Sequence, residues 1–179
     1  TESQPLDVDL GTLDYRLIQE DGLTYVSLRS FVSGTYDNML ARYAREGAKA
    51  RGSKAVIYDL RGNVGGSDSW PRKWIQSFLG TQNSIETSML YAQKNSALFA
   101  AENSESLLPE DEGTCFAREV HGTWYENDIP IIVLVDDHCG SSGEGAVQLL
   151  KTLDNVLIVG SNTAGYQLCG NISTFTLPY

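Results

Sequence analysis

The sequence predicts an α/β fold with a largely parallel sheet and flanking helices. Three short apolar runs have the length and composition of buried strands, and three patterns between them have helical periodicity. The strand-like runs are residues 54–60, 130–135 and 156–160, and the helical patterns are residues 37–52, 68–79 and 142–153. Strands that alternate with helices are typical of parallel sheets, because a crossover helix carries the chain back between strands.

A β-hairpin is predicted ahead of these elements. Residues 14–20 and 23–29 are β-like, and Asp21-Gly22 joins them. This dipeptide favours the type I′ turn, in which both central residues need a positive φ. Asp37 is the candidate N-cap of the helix that follows.

The domain organisation is expected to be simple. Residues 1–179 are long enough for one substantial core and are predicted to be a single core domain. Within it, residues 81–128 are less regular and indicate an insertion with one or two strands and a mobile loop. A last strand is predicted at residues 174–177, so the sequence is expected to be part of a longer chain.

Composition and charge exclude several functions. The chain is 41% hydrophobic and 20% charged, as in ordinary globular proteins, and no apolar run approaches the 18 residues of a membrane span. Its net charge of −10 argues against nucleic acid as a partner. The three cysteines lack CxxC spacing and there are only two histidines, so no metal site is indicated.

A glycine-rich turn, 59-DLRGNVGG-66, follows the strand at 54–60. Consecutive glycines after a strand can direct several backbone N–H groups into one concavity, and such groups can stabilise an oxyanion. The alternative is a tight turn that only requires positive φ. Spacing alone does not decide between these interpretations.

A second turn, 136-DDHCGSSGEGAV-147, joins the most apolar strand to the helix at 142–153. A serine hydroxyl at such a turn lies near the helix N-terminus, where backbone N–H groups favour developing negative charge. Ser141 and Ser142 are therefore candidate nucleophiles. The alternative is that one of them only caps the helix.

Two other motifs fail on single residues, and a third is absent. The G-x-S-x-G elbow would need a glycine at 144, where the sequence has Glu144. The segment 160-GSNTAGYQ-167 has the glycine spacing of a phosphate-binding loop, but Tyr166 occupies the lysine position. No G-x-G-x-x-G follows a strand. No cofactor is therefore expected.

Together these segments resemble the C-terminal processing (tail-specific) serine peptidases and their tricorn-like relatives. The family's D-L-R-x-N-x-G-G turn is matched by 59-DLRGNVGG-66, and its T-A-S-A-S-E segment by 139-CGSSGE-144. Its G-E-x-T-x-G motif is matched by 160-GSNTAG-165. The three motifs occur in the family's order, and the match covers roughly residues 23–80 and 130–179.

The resemblance implies a ClpP/crotonase-like core and a serine endopeptidase that cleaves peptide or protein substrates through an acyl-enzyme. It makes Ser141, three residues before Glu144, the nucleophile. It makes the N–H groups of Gly65 or Gly66 and of Ser142 the oxyanion donors. Family members are often exported, so the resemblance also implies a location outside the cytoplasm, extracellular or periplasmic.

The sequence departs from the family at the general base. One branch has a lysine where this chain has Tyr166, and the tricorn-like branch has a histidine where it has Ser27. Candidate substitutes are His138, three residues before Ser141, and His121 in the insertion. Tyr166 is a weaker candidate, because a tyrosine hydroxyl is a poor base near neutral pH.

The missing base keeps other functions open. A serine hydroxyl is a poor nucleophile without a base, and general-base help contributes typically about 10²- to 10⁴-fold. The alternative to a peptidase is a catalytically degenerate relative that binds a peptide or a small apolar ligand in the same cleft. A crotonase-like acyl-CoA enzyme is a weaker third option, because the segments 59-DLRGN-63 and 141-SSGE-144 fit that class poorly.

Overall fold

The computed structural model describes residues 15–94 and 112–166 as seven strands and three helices. The strands are β1 (Arg16–Glu20), β2 (Leu23–Ser27), β3 (Ala55–Asp59), β4 (Met89–Lys94), β5 (Cys115–Val120), β6 (Ile131–Val135) and β7 (Val156–Gly160). The helices are α1 (Asp37–Ala50), α2 (Ser69–Leu79) and α3 (Ser142–Leu150).

Five strands form one sheet in the order β1-β2-β3-β6-β7. Strand β1 is antiparallel to β2, and the other three pairings are parallel. The hairpin turn has φ of 52° at Asp21 and 82° at Gly22, as a type I′ turn requires. The predicted α/β class, with its largely parallel sheet and flanking helices, is confirmed.

The core lies on the sheet face covered by α1 and α2. Tyr58 of β3 makes an edge contact with the Trp74 ring of α2, with ring centroids 4.8 Å apart. The Tyr58 hydroxyl is hydrogen-bonded to that of Tyr43 on α1, so the two buried phenols satisfy each other. Trp74 also stacks on Phe78 at 5.4 Å. Burying each large side chain of this kind contributes roughly 1.5–3 kcal/mol.

Two predicted helix ends are wrong by one to three residues. The N-cap of α1 is Tyr36 rather than Asp37, and the Asp37 carboxylate instead accepts the Gly34 N–H at 2.9 Å within the preceding turn. Helix α3 ends at Leu150 rather than 153, because Leu153 forms a β-bridge with Tyr125. Local contacts decide the first end, and a long-range pairing decides the second.

The irregular region at 81–128 contributes a separate antiparallel pair, β4 with β5. Residues 95–111 of this region and the predicted strand at 174–177 lie outside the described residues. None of the helices in the described ranges is long and apolar enough to cross a membrane.

Substitution Gly47→Ala should destabilise the packing of α1 on α2. An added Cβ would lie 2.3 Å from the Trp74 carbonyl oxygen and 3.0 Å from the Phe78 nitrogen. On an exposed helix face the same change would stabilise by about 1 kcal/mol. Here we expect a loss of roughly 1–3 kcal/mol from overpacking, measured by urea unfolding. A gain in stability would contradict this close helix crossing.

Candidate active site

The two turns singled out in the sequence meet beyond the carboxyl ends of adjacent strands. Strands β3 and β6 are parallel neighbours, so the turns that follow them leave the sheet side by side. The Gly140 N–H donates to the Asn63 carbonyl at 2.9 Å, and the Gly62 N–H donates to Asp136 Oδ1 at 2.8 Å. The backbone of one turn is thereby fixed to the other at both ends.

Glycine lets these turns come very close. A Cβ on Gly65 would lie 2.6 Å from Ser141 Cβ and 3.0 Å from the Ser142 nitrogen. A Cβ on Gly143 would lie 2.8 Å from the Asn63 carbonyl oxygen. The 61–66 turn therefore lies directly against the start of α3, with the Gly65 backbone facing Ser141.

Ser141 has an unusual backbone conformation. Its φ of 51° and ψ of −122° are rare for a residue with a side chain, and holding such a conformation costs on the order of 1–3 kcal/mol. It is the N-cap of α3, and it is exposed. A sharp strand-to-helix turn with this strain presents the hydroxyl at the end of the sheet, as nucleophile turns do.

Glu144 holds the Ser141 turn in place. Its Oε2 accepts the Ser141 N–H at 3.1 Å in a capping-box arrangement. Its Oε1 accepts the Thr163 hydroxyl and the Gly165 N–H, both at 2.7 Å. The buried carboxylate thus caps the helix and ties the loop after β7 to it.

Ser142 differs from Ser141 in both burial and bonding. Its side chain is buried, and its hydroxyl donates to the Gly66 carbonyl at 2.8 Å. That bond joins α3 to the glycine turn. Of the two candidate serines, Ser141 is the one whose side chain faces solvent.

The backbone N–H groups around Ser141 are not equivalent. The Gly65 N–H donates to Asn63 Oδ1 at 2.9 Å, so it is engaged. The N–H groups of Gly66 and Ser142 donate none of the hydrogen bonds found in residues 15–94 and 112–166. Asn63 is fully buried, and its Nδ2 donates to the Leu28 carbonyl at 2.7 Å, which fixes the turn to the end of β2.

Asp59 anchors the other end of the glycine turn, a role that sequence reasoning missed. Its fully buried side chain accepts three N–H groups of Arg61, from the backbone, Nε and Nη2, at 2.8–3.0 Å. It also accepts the Tyr25 hydroxyl at 2.7 Å. Burial pushes the pKa of Asp59 upward, but the hydrogen bonds from Arg61 and Tyr25 outweigh it and lower the pKa. An acid at a strand end with an arginine two residues later was the available signal.

We expect Asp59 to make stability depend on pH in the acid range. A lowered folded pKa adds stability that is present above the ordinary Asp pKa of about 3.9 and is lost as pH falls further. The urea midpoint of wild type should exceed that of Asp59→Asn at pH 7, and the gap should narrow below about pH 4. A gap that stays constant down to pH 2 would contradict the charged Asp59–Arg61 interaction.

The candidate bases lie at different places. His138 Nδ1 is 2.8 Å from Asp137 Oδ1, and His121 Nδ1 is 4.0 Å from Glu119 Oε1. Both histidines are largely exposed, and within the described residues neither ring is hydrogen-bonded to Ser141. The Tyr166 ring covers Gly140, whose added Cβ would be 2.8 Å from Tyr166 Cδ2.

Ser27 lies at the end of β2, opposite Asp59 in the sheet. It is 2% exposed, and its Oγ has no hydrogen-bond partner in the part of the chain that the structure describes. A short hydroxyl at this position cannot act as an imidazole base. Among the described residues, the position at which the tricorn-like branch has a histidine thus holds a buried hydroxyl without a hydrogen-bond partner.

Ligand atoms of Asp136, Asp137 and His138 lie within 4.8 Å of one another. Asp136 Oδ1 already accepts the N–H groups of Gly62 and His138, at 2.8 and 3.1 Å. These bonds account for the cluster as the support of a tight turn. Cys139, next in the chain, is a buried thiol with no disulfide partner among the described residues, and burial raises its pKa to about 12.

Comparisons with known proteins identify the family of the chain. The model of peptidase family S41 matches residues 22–176, and the chain belongs to this family. The resemblance seen in the three sequence motifs is confirmed at the level of the family. No curated protein is similar enough in sequence to count as a match.

Two solved structures, each with a TM-score of 0.50, show the same fold, and a third has comparable sequence identity. A candidate peptidase from Parabacteroides merdae ATCC 43184 is 23% identical with a TM-score of 0.50, over 86% of this chain and 44% of that one. A lipoprotein from Streptococcus agalactiae is 18% identical with a TM-score of 0.50, over 86% of this chain and 50% of that one. The photosystem II D1 C-terminal processing protease is 20% identical with a TM-score of 0.49, over 80% of this chain and 31% of that one. The chain spans half or less of each.

Proposed function

We propose that the protein is a serine endopeptidase of the C-terminal processing type, with Ser141 as its nucleophile. The observation that carries this proposal is the exposed Ser141, held at φ 51° on the N-terminus of α3 and facing the Gly65 backbone. A strained, exposed serine beside an abutting glycine turn suits acyl transfer. Membership of family S41 supports the same reaction class.

In the proposed reaction, Ser141 Oγ attacks the carbonyl carbon of the scissile peptide bond while a base takes its proton. The carbonyl π electrons move onto the oxygen, and the N–H groups of Gly66 and Ser142 stabilise the oxyanion. The C–N bond then breaks, the amine leaves with the transferred proton, and water hydrolyses the acyl-enzyme. The Gly65 N–H, already bonded to Asn63, keeps the turn in shape.

We assign the general base to His138, assisted by Asp137. The carboxylate 2.8 Å from Nδ1 favours a proton on that nitrogen and leaves Nε2 as the acceptor. Both residues precede Ser141 in the same turn, and His138 is the histidine nearer to Ser141 along the chain. His121 has a more distant acidic neighbour, at 4.0 Å, and lies on the segment after β5.

The substitution His138→Ala tests this assignment in the complete protein. We expect hydrolysis of a mixed peptide library, read by mass spectrometry, to fall by about 10²- to 10⁴-fold in kcat/KM. The matched variant His121→Ala should stay within about threefold of wild type, since His121 lies on the segment after β5 rather than in the serine turn. Equal losses in both variants, or a loss only in His121→Ala, would assign the base elsewhere.

A second candidate function is a binding protein that has lost catalysis and keeps the cleft for a peptide or a small apolar ligand. Ser27 and Tyr166 at the family's base positions favour it, together with the unpartnered Ser27 hydroxyl. In that case the library would bind without being cleaved, and His138→Ala would change nothing. For either function, the peptide partner, the absence of nucleic acid and a location outside the cytoplasm stay predictions.

A further inference from the structure

A groove of about 660 Å³ lies between α1 and α2, and none of the residues that line it belongs to the Ser141 site. Its α1 side presents Ala41, Ala44 and Ala48, whose spacing places them on one helix face. The lining continues to Arg51, ten residues after Ala41, so the groove is roughly 15 Å long at the helical rise. Small side chains leave room there for another backbone.

The groove is basic in an acidic protein. Arg45, Arg51 and Lys73 line it, and no acidic residue does. Residues 37–82 hold eight of the thirteen Lys and Arg and four of the 23 Asp and Glu. This part of the chain is therefore net +4, whereas the remainder is net −14. Such a charge separation along the chain favours acidic partners for the part that holds the groove.

Among the described residues, the groove's cations form no ion pair with an acid. Within residues 15–94 and 112–166, five Lys and Arg side chains form ion pairs with carboxylates, and none of them lines the groove. The Arg51 guanidinium instead donates to the carbonyls of Ser77 and Phe78, at 2.5 and 2.9 Å. Two of its five N–H groups are thus used, and its charge is held at the groove.

Lys73 is held in a similar way, because its Nζ lies 4.6 Å from the centre of the Trp70 ring. Neither of these two cations is paired with an acid among the described residues. Because both side chains are already held in place, they lose less conformational entropy when a ligand binds. Arg45, on α1 six residues before Arg51, is exposed. Arg51 and Lys73 thus form a preorganised pair on the two walls of the groove, and Arg45 adds a third charge.

We propose that this groove binds an acidic polypeptide segment of another protein. Alternating acidic and aliphatic side chains suit it, since acids would reach the cations on the walls while aliphatic groups would cover the alanine methyls. At about 3.3 Å per residue, four or five extended residues fill its length. A polyphosphate chain would extend beyond the groove and meet the acidic remainder of the protein, so the net charge of −10 disfavours it. The proposal does not depend on peptidase activity.

Fluorescence anisotropy with a labelled pentapeptide of alternating Glu and Leu, which matches the length of the groove, tests the proposal. The complete protein carries Ser141→Ala, so that the probe is not cleaved. We expect saturable binding that weakens with salt, and a loss of about tenfold or more in affinity in Arg45→Glu/Lys73→Glu. The control Lys151→Glu, an exposed lysine after α3, should change affinity by less than about twofold.

A second variant tests whether the peptide binds in the groove itself or only through the general charge of this surface. Ala48→Trp keeps every charge but fills the groove, and Ala48 is exposed, so the fold should tolerate it. We expect this variant to lose binding as well. Full binding by Ala48→Trp, no saturable binding by the parent, or equal losses in Lys151→Glu would overturn the proposal. Tighter binding of a single-stranded RNA of equal length, lost in the double variant, would replace the peptide with nucleic acid.

Discussion

Substitution Ser141→Ala should reduce peptide hydrolysis by on the order of 10³-fold or more in kcat, because the attacking oxygen is removed while the cleft remains. The rest of the site should stay in place, since Glu144 is still anchored by Thr163 and Gly165. Loss of the N-cap hydroxyl should cost about 1 kcal/mol of stability. Steady-state kinetics and thermal unfolding of the complete protein measure the two effects.

The matched control is Ser142→Ala, one residue further along. It removes the bond from the Ser142 hydroxyl to the Gly66 carbonyl but keeps the Ser142 N–H that we assign to the oxyanion. We expect a loss of about 1 kcal/mol in stability and a decrease in kcat of less than about tenfold. If Ser142→Ala abolished hydrolysis while Ser141→Ala retained it, the nucleophile would be the other serine.

Substitution Gly65→Ala should be damaging for both stability and catalysis. Its φ of 100° is unfavourable for any residue with a Cβ, and the new methyl would lie 2.6 Å from Ser141 Cβ. Strain and overlap together should cost about 2 kcal/mol or more. Because the methyl pushes the glycine turn away from Ser141, we expect kcat to fall by about 10²-fold or more.

The control for Gly65→Ala is Gly52→Ala. Nothing lies within 4 Å of an added Cβ at Gly52, so the change should be neutral or slightly stabilising. Urea unfolding and kinetics of both variants, measured side by side, give the comparison. A Gly65→Ala protein with wild-type kcat would mean that the glycine turn is not part of the reacting site.

Much of the fold follows from local patterns. The alternation of apolar runs with helical patterns predicts the parallel strands, and Asp21-Gly22 predicts the hairpin because its two residues tolerate positive φ. The ends of helices were less predictable. The Asp37 carboxylate can serve either a cap or a turn, and the bridge between Leu153 and Tyr125 depends on residues far apart in sequence.

The candidate site was predictable where the residue types of a motif indicate the chemistry that they can perform. The serine turn and the glycine turn could be placed together because the family resemblance makes Ser141 of one the nucleophile and a glycine N–H of the other an oxyanion donor. The roles of Asp59, Asn63 and Glu144 could not be predicted in full, because each side chain links segments that are distant in sequence. A buried polar group reveals its role only once its partners are known.

The most direct test of the account is reaction of the complete protein with a fluorophosphonate, followed by peptide mapping. If Ser141 is an activated nucleophile, one adduct should form on its hydroxyl, and neither Ser141→Ala nor a denatured sample should carry it. Ser142, whose buried hydroxyl already donates to Gly66, should remain unlabelled. An unlabelled Ser141, under conditions in which an active family member is fully labelled, would contradict the proposed nucleophile.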